Sequence, residues 1–264
     1  MIETVVIIGA GNLATQLALA LTRKGIKIKQ VYSRTLEPAE ELARKVNADF
    51  TNDLSSLITD ADLYFLSVKD SAIEEVISNL PLDQNRLLVH TAGSIPMQVL
   101  KNSTNQYGVF YPLQTFSKHR DIDFSDIPIC IEANNAAVME KLQELAELLS
   151  CSVQSINSEE RKTLHLAAVF VNNFVNHLYL IGSQIIQDQN LDFNLLKPLI
   201  RETAAKIESL PPLQAQTGPA LRNDQAVIGA QLKMLQNHPE FQKIYSFVTE
   251  SIFTIHQKQT NDLL

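Results

Sequence analysis

The sequence has few of the residues and patterns that mark metal-binding or nucleic-acid-binding proteins. Its 264 residues include only two cysteines, Cys130 and Cys151. Neither has the paired spacing of a zinc or redox motif, so we expect two buried apolar side chains and no metal site. The net charge is −7, and no basic cluster interrupts the sequence. Proteins that bind nucleic acid usually present a basic stripe, so we expect no nucleic-acid partner.

Long uninterrupted apolar runs are also missing, and we expect no leader sequence. The most apolar stretch, residues 163–180, is interrupted by histidines and asparagines, which does not fit a membrane span of about 20 mostly apolar residues. Met1 leads directly into a strand-like run, without a basic region or a cleavage site. We therefore predict a folded cytoplasmic protein without a membrane partner.

What the sequence does contain is a change of pattern near residue 155. Before it, short apolar runs alternate with helical patterns, which predicts a parallel sheet covered by helices on both faces. After it, only long helical periods follow. The predicted fold class is α/β, in which a doubly wound sheet of Rossmann type (1–155) precedes an all-helical domain (156–264). The predicted strands are 5–8, 28–32, 63–66, 87–90, 109–111 and 129–131, and the predicted C-terminal helices are 158–188, 193–210, 224–237 and 239–258.

A glycine motif follows the first predicted strand and opens the first helix. Residues 9–14 have the spacing G-x-G-x-x-A. Gly9 allows a tight turn, Gly11 lets a pyrophosphate approach the backbone, and the unpaired N–H groups of the helix attract the anion. The motif predicts a dinucleotide site, and the alternative is a tight turn that has lost its ligand. The predicted contacts are Gly9, Ala10, Gly11, Asn12 and Leu13.

The end of the second predicted strand indicates which dinucleotide is bound. An NAD site usually has an acidic residue there, but this chain has Ser33, Arg34 and Thr35. A guanidinium group binds phosphate through paired, charge-assisted hydrogen bonds. We therefore predict NADP(H) rather than NAD(H), and the alternative for Arg34 is a solvated loop position. Further cofactor contacts are predicted at the ends of the next two strands, at Ser67, Val68, Lys69, His90 and Thr91.

Candidate catalytic residues lie on the first C-terminal helix. At about 100° per residue, His165, Asn172 and Asn176 share one face, and Asn173 lies one step round. A histidine can give or take the proton that accompanies hydride transfer, and amides can orient a carbonyl group. The alternative is amide hydrogen bonding at a domain or dimer interface. Predicted substrate contacts are Gln114, Thr115, Asn173, Thr217 and Arg222, of which Arg222 would fix an acidic group.

Three polar residues are predicted at helix starts. Ser158 is the expected cap of the first C-terminal helix, Asp70 could cap a helix that begins near Ser71, and Asp224 could cap the third C-terminal helix. For Asp70 and Asp224, the capping role is an alternative to a role in the site.

Together these residues resemble the NADP oxidoreductases that join a Rossmann domain to a helical domain of unknown function. More distantly, the chain is similar to pyrroline-5-carboxylate reductase, the deazaflavin-dependent NADP reductases and the 6-phosphogluconate and β-hydroxyacid dehydrogenases. Residues 8–14, 33–35, 111–116, 165–177 and 217–224 carry the resemblance, which extends over nearly the whole chain. It implies a helical domain packed against the cofactor cleft and a homodimer joined by its long helices.

One departure limits what the resemblance implies. The β-hydroxyacid dehydrogenases have a catalytic lysine four residues before an asparagine, where this chain has Ala168, Val169 and Asn172. Their alcohol oxidation therefore does not carry over. Our hypothesis is an NADP(H)-dependent reductase of a small carbonyl or imine compound, with His165 as proton donor and Asn172 and Asn176 as orienting groups. The alternative is a non-catalytic NADP(H)-binding protein that reports redox state through a helical dimer interface.

Overall fold

The computed structural model describes residues 1–261, and side chains as far as residue 258. The chain divides into two compact units, residues 1–173 and residues 174 onward. The first unit is built on one eight-stranded sheet with the order β3-β2-β1-β4-β5-β6-β7-β8. Its strands are β1 Thr4–Ile8, β2 Lys27–Tyr32, β3 Asp49–Thr51, β4 Leu63–Leu66, β5 Leu87–His90, β6 Gln106–Pro112, β7 Ile129–Ala133 and β8 Val153–Ser155.

The central strands are apolar at every position because helices cover the sheet on both faces. In β1, Val5 and Ile7 pack into one buried cluster, and Val6 and Ile8 pack into another on the opposite face. Such strands contain no alternating polar residues. All six predicted strands are confirmed, as is the Rossmann-type sheet followed by helices.

The sheet departs from the prediction at its far edge. Strands β1 to β6 are parallel, but β7 runs antiparallel to β6, and β8 runs parallel to β7. The connection between β6 and β7 contains no helix, and a parallel pair would usually need one. The two three-residue strands, β3 and β8, were not predicted because they are short, polar and largely exposed.

Four α-helices cover the sheet of the first unit before the long helix begins. They are α1 Asn12–Arg23, α2 Leu36–Val46, α3 Ile73–Ser78 and α4 Ala136–Leu149. Asp70 does not cap α3 as predicted, because a short 3-10 turn, Asp70–Ala72, precedes that helix and the Asp70 carboxylate accepts a hydrogen bond from the Ser94 hydroxyl. Cys130 is buried in β7, but Cys151 is exposed between α4 and β8, so the expectation that both cysteines are buried is wrong for Cys151.

One continuous helix, residues 158–187, begins in the first unit. It consists of α5 Ser158–Ala168, a π-helical segment Val169–Phe174 and α6 Val175–Gln187. Its cap is Asn157 rather than the predicted Ser158: Asn157 and Glu160 form a capping box. By length and composition alone the helix could cross a membrane. Its most apolar stretch of 18 residues has a mean hydropathy of 1.3, and none of that stretch is buried. The expectation that its polar residues would rule this out on composition is therefore wrong, and the absence of a membrane partner stays a prediction.

The second unit is helical, and the four predicted C-terminal helices are confirmed. After α6 follow α7 Lys197–Ser209, α8 Pro212–Ala215, α9 Gln225–Met234 and α10 Pro239–Asn261. Asp224 caps α9 as predicted, through a hydrogen bond to the Val227 N–H. Between residues 174 and 258, only four apolar side chains are buried: Ile181, Ala220, Ile228 and Leu235. The predicted domain boundary at 155/156 stays a prediction, and the compact units divide within the long helix.

Candidate functional site

The turn between β1 and α1 has the geometry of a phosphate-binding loop. Gly9 has a φ of +125°, and a Cβ atom there would lie 2.1 Å from the Ser67 carbonyl oxygen. No side chain fits in that space, so glycine lets β1 and the end of β4 approach each other. At Gly11 a Cβ atom would meet nothing within 4 Å. The backbone of Gly11 therefore borders open space.

The start of α1 is suited to an anion. Among its first residues there is no side-chain cap and no acidic side chain. The first-turn N–H groups of a helix have no partner within the helix, and its dipole favours negative charge there. The loop also lies where the strand order reverses between β1 and β4, which is the usual ligand position in doubly wound sheets. The residues present fit the pyrophosphate of a dinucleotide.

The residues predicted to select NADP(H) follow β2. Ser33 is half-buried, and Arg34 and Thr35 are exposed at the start of α2. Within residues 1–258, the Arg34 guanidinium takes part in no ion pair or side-chain hydrogen bond. Its five N–H donors are therefore available to a phosphate.

The next two strand ends border the same edge of the sheet. The Thr91 hydroxyl donates to the Ser67 hydroxyl at 3.2 Å, which joins the ends of β5 and β4. Val68 is half-buried and Lys69 is exposed. These residues lie where the sequence placed them, and their contacts with a cofactor stay predictions.

His90 differs from the other predicted cofactor residues because its side chain is fully buried. Its Nδ1 accepts a hydrogen bond from the Ala92 N–H at 3.2 Å. Burial, with a smaller effect of the nearby Arg161 charge, lowers the pKa of His90 to about 3. The ring is a neutral core group, and it does not reach the surface that a dinucleotide would contact.

A tyrosine and a histidine meet at the end of β6. The Tyr111 hydroxyl lies 2.9 Å from Nδ1 of His165. Tyr111 is 8% exposed, and burial raises the pKa of its phenol to about 12. The imidazole of His165 also lies against Gly93, where a Cβ atom would come within 2.5 Å of Nδ1. The histidine is therefore held from two sides.

This pair borders a cleft of about 690 Å³ within the first unit. The cleft is lined by Asn12 and Leu13 from the glycine loop and by residues of the segments 111–116 and 164–173. Its volume is in the range of small-molecule sites. Gln114 and Thr115, both predicted substrate contacts, lie in its wall. The structure thus brings the candidate proton donor and the N-terminus of α1, which follows the glycine loop, to one cleft.

The amides of the long helix are placed differently from the prediction. Asn172 and Asn173 both line the cleft with His165. The predicted shared face of His165, Asn172 and Asn176 assumed an uninterrupted α-helix, but the π-helical segment lies between His165 and Asn176. A π-helix takes more residues per turn, so the constant step of 100° does not apply there.

Three predicted site residues lie in the second unit. Asn176, Thr217 and Arg222 are all exposed there. The roles of Asn176 in catalysis and of Thr217 and Arg222 in substrate binding stay predictions.

A buried ion pair anchors the start of α5. The Arg161 guanidinium, 1% exposed, pairs with the Glu132 carboxylate of β7 and donates to the Ile95 carbonyl at 2.6 Å. The Ser158 hydroxyl donates to the same carboxylate and accepts from the Met97 N–H. His165 lies one turn beyond Arg161, so this network fixes the helix that carries it. The sequence analysis missed Arg161, Glu132 and the role of Tyr111, because each acts through a contact distant in sequence.

Two family models match the chain. The model described as NADP oxidoreductase, coenzyme F420-dependent, matches residues 4–93, and a domain of unknown function, DUF2520, matches residues 127–252. No curated protein has a matching sequence.

Solved structures show the same fold over nearly the whole chain. The "putative NADP oxidoreductase BF3122" from Bacteroides fragilis is 49% identical, with 96% of this chain and 98% of that chain covered and a TM-score of 0.93. An imine reductase from Myxococcus stipitatus in complex with NADP+ is 16% identical (98% and 94% covered, TM-score 0.62). A pyrroline-5-carboxylate reductase from Coxiella burnetii is also 16% identical (98% of each chain covered, TM-score 0.59).

Proposed function

The chain belongs to the NADP oxidoreductase family that includes BF3122, and on that premise we propose that it uses NADPH to reduce a small imine or carbonyl compound. The observation that carries the proposal is a single cleft lined both by His165, which is paired with Tyr111, and by Asn12 and Leu13 at the N-terminus of α1. An imine reductase with bound NADP+ shares the fold.

Each part of the reaction is assigned to particular residues of the chain. The N-terminus of α1 and Gly11 hold the pyrophosphate, and Arg34 with Ser33 and Thr35 holds the 2′-phosphate. When bound, NADPH would supply a hydride to the carbon of the C=N or C=O group. His165 in its charged form gives a proton from Nε2 to the nitrogen or oxygen of that group, which completes the reduction.

The amides complete the arrangement. Asn172, Asn173 and Gln114 present both N–H donors and carbonyl acceptors to the cleft, which suits the orientation of a polar substrate. We retain Asn176, Thr217 and Arg222 as further proposed contacts from the second unit. A catalytic lysine is not needed, because reduction requires a proton donor rather than a base.

A second copy of the chain is the proposed partner. The second unit leaves large apolar side chains exposed, among them Leu195, Leu199, Met234 and Phe247. Soluble proteins rarely leave contiguous apolar surface of this kind uncovered, and closed symmetric dimers are the commonest way to cover it. The partner that covers the second unit is thus a homodimer mate, and the cytoplasm remains the proposed location.

Calorimetric titration tests the cofactor. We expect NADPH to bind more tightly than NADH, and Arg34→Ala to remove that preference. Arg44→Ala is the matched control, because Arg44 is also exposed on the α2 region but pairs with Glu40. If neither dinucleotide binds, the oxidoreductase proposal is wrong.

Turnover tests the reaction. With NADPH in excess, a panel of small cyclic imines and ketones should reveal oxidation of the cofactor that His165→Gln reduces by about 10²-fold or more, the usual contribution of a positioned acid. Binding of NADPH without turnover of any compound would instead favour the non-catalytic, redox-reporting alternative.

A further inference from the structure

Only one of the two ring nitrogens of His165 is available to a substrate. Nδ1 lies 2.9 Å from the Tyr111 hydroxyl. Within residues 1–258 no hydrogen bond of Nε2 is found. Gly93 lies directly against the same side of the ring, where a Cβ atom would come within 2.5 Å of Nδ1 and 2.6 Å of Cγ. The Tyr111 hydroxyl and the loop after β5 therefore both contact the Nδ1 side of His165.

The direction of the hydrogen bond follows from the chemistry of the phenol. Tyr111 is almost fully buried and keeps its proton, because burial raises its pKa to about 12. A neutral imidazole has one N–H donor and one acceptor nitrogen. Among residues 1–258, Nδ1 of His165 is the only hydrogen-bond partner of the Tyr111 hydroxyl. The hydroxyl hydrogen is therefore satisfied when it is donated to Nδ1, which puts the hydrogen of neutral His165 on Nε2.

We propose that Tyr111 is a positioning residue that selects the Nε2–H tautomer of His165, so that the nitrogen available to the cleft carries a hydrogen. When His165 becomes charged, the Tyr111 hydroxyl turns and accepts from Nδ1–H. Nε2 carries a hydrogen in both forms, but only the charged form gives it to the substrate, and this transfer leaves neutral His165 with its remaining hydrogen on Nδ1, donated to the Tyr111 oxygen. The inference deepens the proposed function and rests on it, since it assigns the state of the proposed donor.

The anchoring of α5 makes this selection specific. Arg161, one turn before His165, is held by Glu132 and the Ile95 carbonyl. Ile95 belongs to the same loop as Gly93. The loop that touches the imidazole and the helix that carries it are thus tied together, which keeps the distance between Nδ1 and the hydroxyl short.

Nitrogen-15 NMR of the histidine rings tests the proposal in the full-length protein. Loss of one signal set in His165→Gln assigns the resonances. At a pH where the ring is neutral, we expect the wild-type His165 to show an unprotonated, hydrogen-bonded Nδ1 and a protonated Nε2. In Tyr111→Phe the hydrogen-bond shift at Nδ1 should vanish, and the tautomer ratio should relax towards that of the exposed His119, an internal reference.

Two further variants separate this role from a merely structural one. Tyr107→Phe, a change of another tyrosine in β6, should leave the His165 signals unchanged. Gly93→Ala should displace the ring and reproduce the Tyr111→Phe spectrum although Tyr111 is intact. A wild-type Nδ1–H tautomer, or identical His165 spectra in wild type and Tyr111→Phe, would overturn the proposal. The spectra do not depend on a substrate: NADPH binding with the wrong tautomer overturns only this inference, and the right tautomer without NADPH binding overturns only the proposed function.

Discussion

The two units of the chain differ in how much of their apolar side-chain surface is buried. In the first unit the sheet separates two large buried clusters, and Val5 to Ile8 are 0% exposed. In the second unit, Met234 and Phe247 are 77% and 75% exposed, and few side chains are buried. The first unit therefore has a complete core within the chain. In the second, many large apolar side chains of the helices between residues 174 and 258 are exposed.

This contrast separates two sources of stability. The first unit depends on burial and on a few buried polar groups, whereas in the proposed homodimer the second would depend on assembly, which would make its stability a function of protein concentration. The four predictions below test that contrast, from the largest expected effect to the smallest.

Charges placed on the exposed apolar side chains of the second unit should break the proposed homodimer. For Phe247→Glu or Leu199→Glu we expect a loss of at least about 3 kcal/mol in association, since an unpaired charge would be buried, or more than a hundredfold in Kd, at about 1.4 kcal/mol per tenfold. Light scattering after size exclusion should show monomers. Leu148→Glu is the control, an exposed apolar position (41%) in the first unit, and it should remain dimeric. A monomeric wild type would contradict the assembly argument.

Removal of one partner of the buried ion pair should destabilise the first unit. Arg161→Met leaves the Glu132 carboxylate without its cation, which costs about 3–5 kcal/mol in such sites. Lys162→Met, at the next position, removes only a surface pair with Glu159, worth at most about 1 kcal/mol. Urea unfolding compares the two. The double variant Arg161→Met with Glu132→Leu should recover much of the loss, and equal costs for the two single variants would show that the buried pair is not special.

Acid should weaken the first unit through His90. Its pKa is lowered from 6.5 to about 3, so between these values the unfolded chain binds a proton that the folded chain does not. The free energy of unfolding contributed by His90 is fully present above pH 6.5 and falls as the pH falls towards 3, by up to about 1.4 kcal/mol per pH unit.

The matched variant isolates this effect from the carboxylates. His90→Asn keeps an acceptor for the Ala92 N–H but does not titrate, so its urea midpoint should depend less steeply on pH between 6 and 4. His119→Gln, at an exposed position, should retain the wild-type slope. Parallel pH curves for wild type and His90→Asn would contradict the assignment.

Loss of a helix cap should have the smallest effect, and it compares the units directly. Asn135 caps α4 in the first unit and Asp224 caps α9 in the second, each through a hydrogen bond to a backbone N–H. Either change to alanine should cost about 1 kcal/mol. If assembly stabilises the second unit, the thermal midpoint of Asp224→Ala should also rise with protein concentration. A midpoint of Asp224→Ala that does not change with concentration would argue against it.

The sequence predicted most of the sheet, because strands buried on both faces leave continuous apolar runs. It did not predict β3 and β8, which have only three residues each and are largely exposed. It also did not predict the reversed direction of β7, since the residues of a strand do not indicate which way it runs. The missing helix between β6 and β7 was the available signal. The start of α5 at Ser158 was predicted correctly, but its cap was misplaced by one residue, from Asn157 to Ser158, a typical uncertainty at helix ends.

In the site, residues that belong to a local sequence pattern could be predicted, whereas contacts between residues distant in sequence could not. The glycine loop and Arg34 follow from the spacing of neighbouring residues. The Tyr111–His165 pair joins residues 54 positions apart, and no local pattern marks it. The π-helical segment interrupts the constant step from which the shared face of His165, Asn172 and Asn176 was predicted, and nothing in the spacing of the asparagines indicated it.

The reversed direction of β7 determines at which edge of the sheet α5 begins. Because β7 and β8 run opposite to β1–β6, the chain leaves β8 near the level of Glu132, and α5 then climbs towards the end of β6. Its second turn arrives beside Tyr111. If β7 and β8 instead ran parallel to β6, the chain would leave β8 at the edge of the sheet that borders the cleft. A helix that began there would run away from the cleft. Whether a histidine on this helix can meet the cleft is thus decided by a single change in strand direction, well before the helix begins.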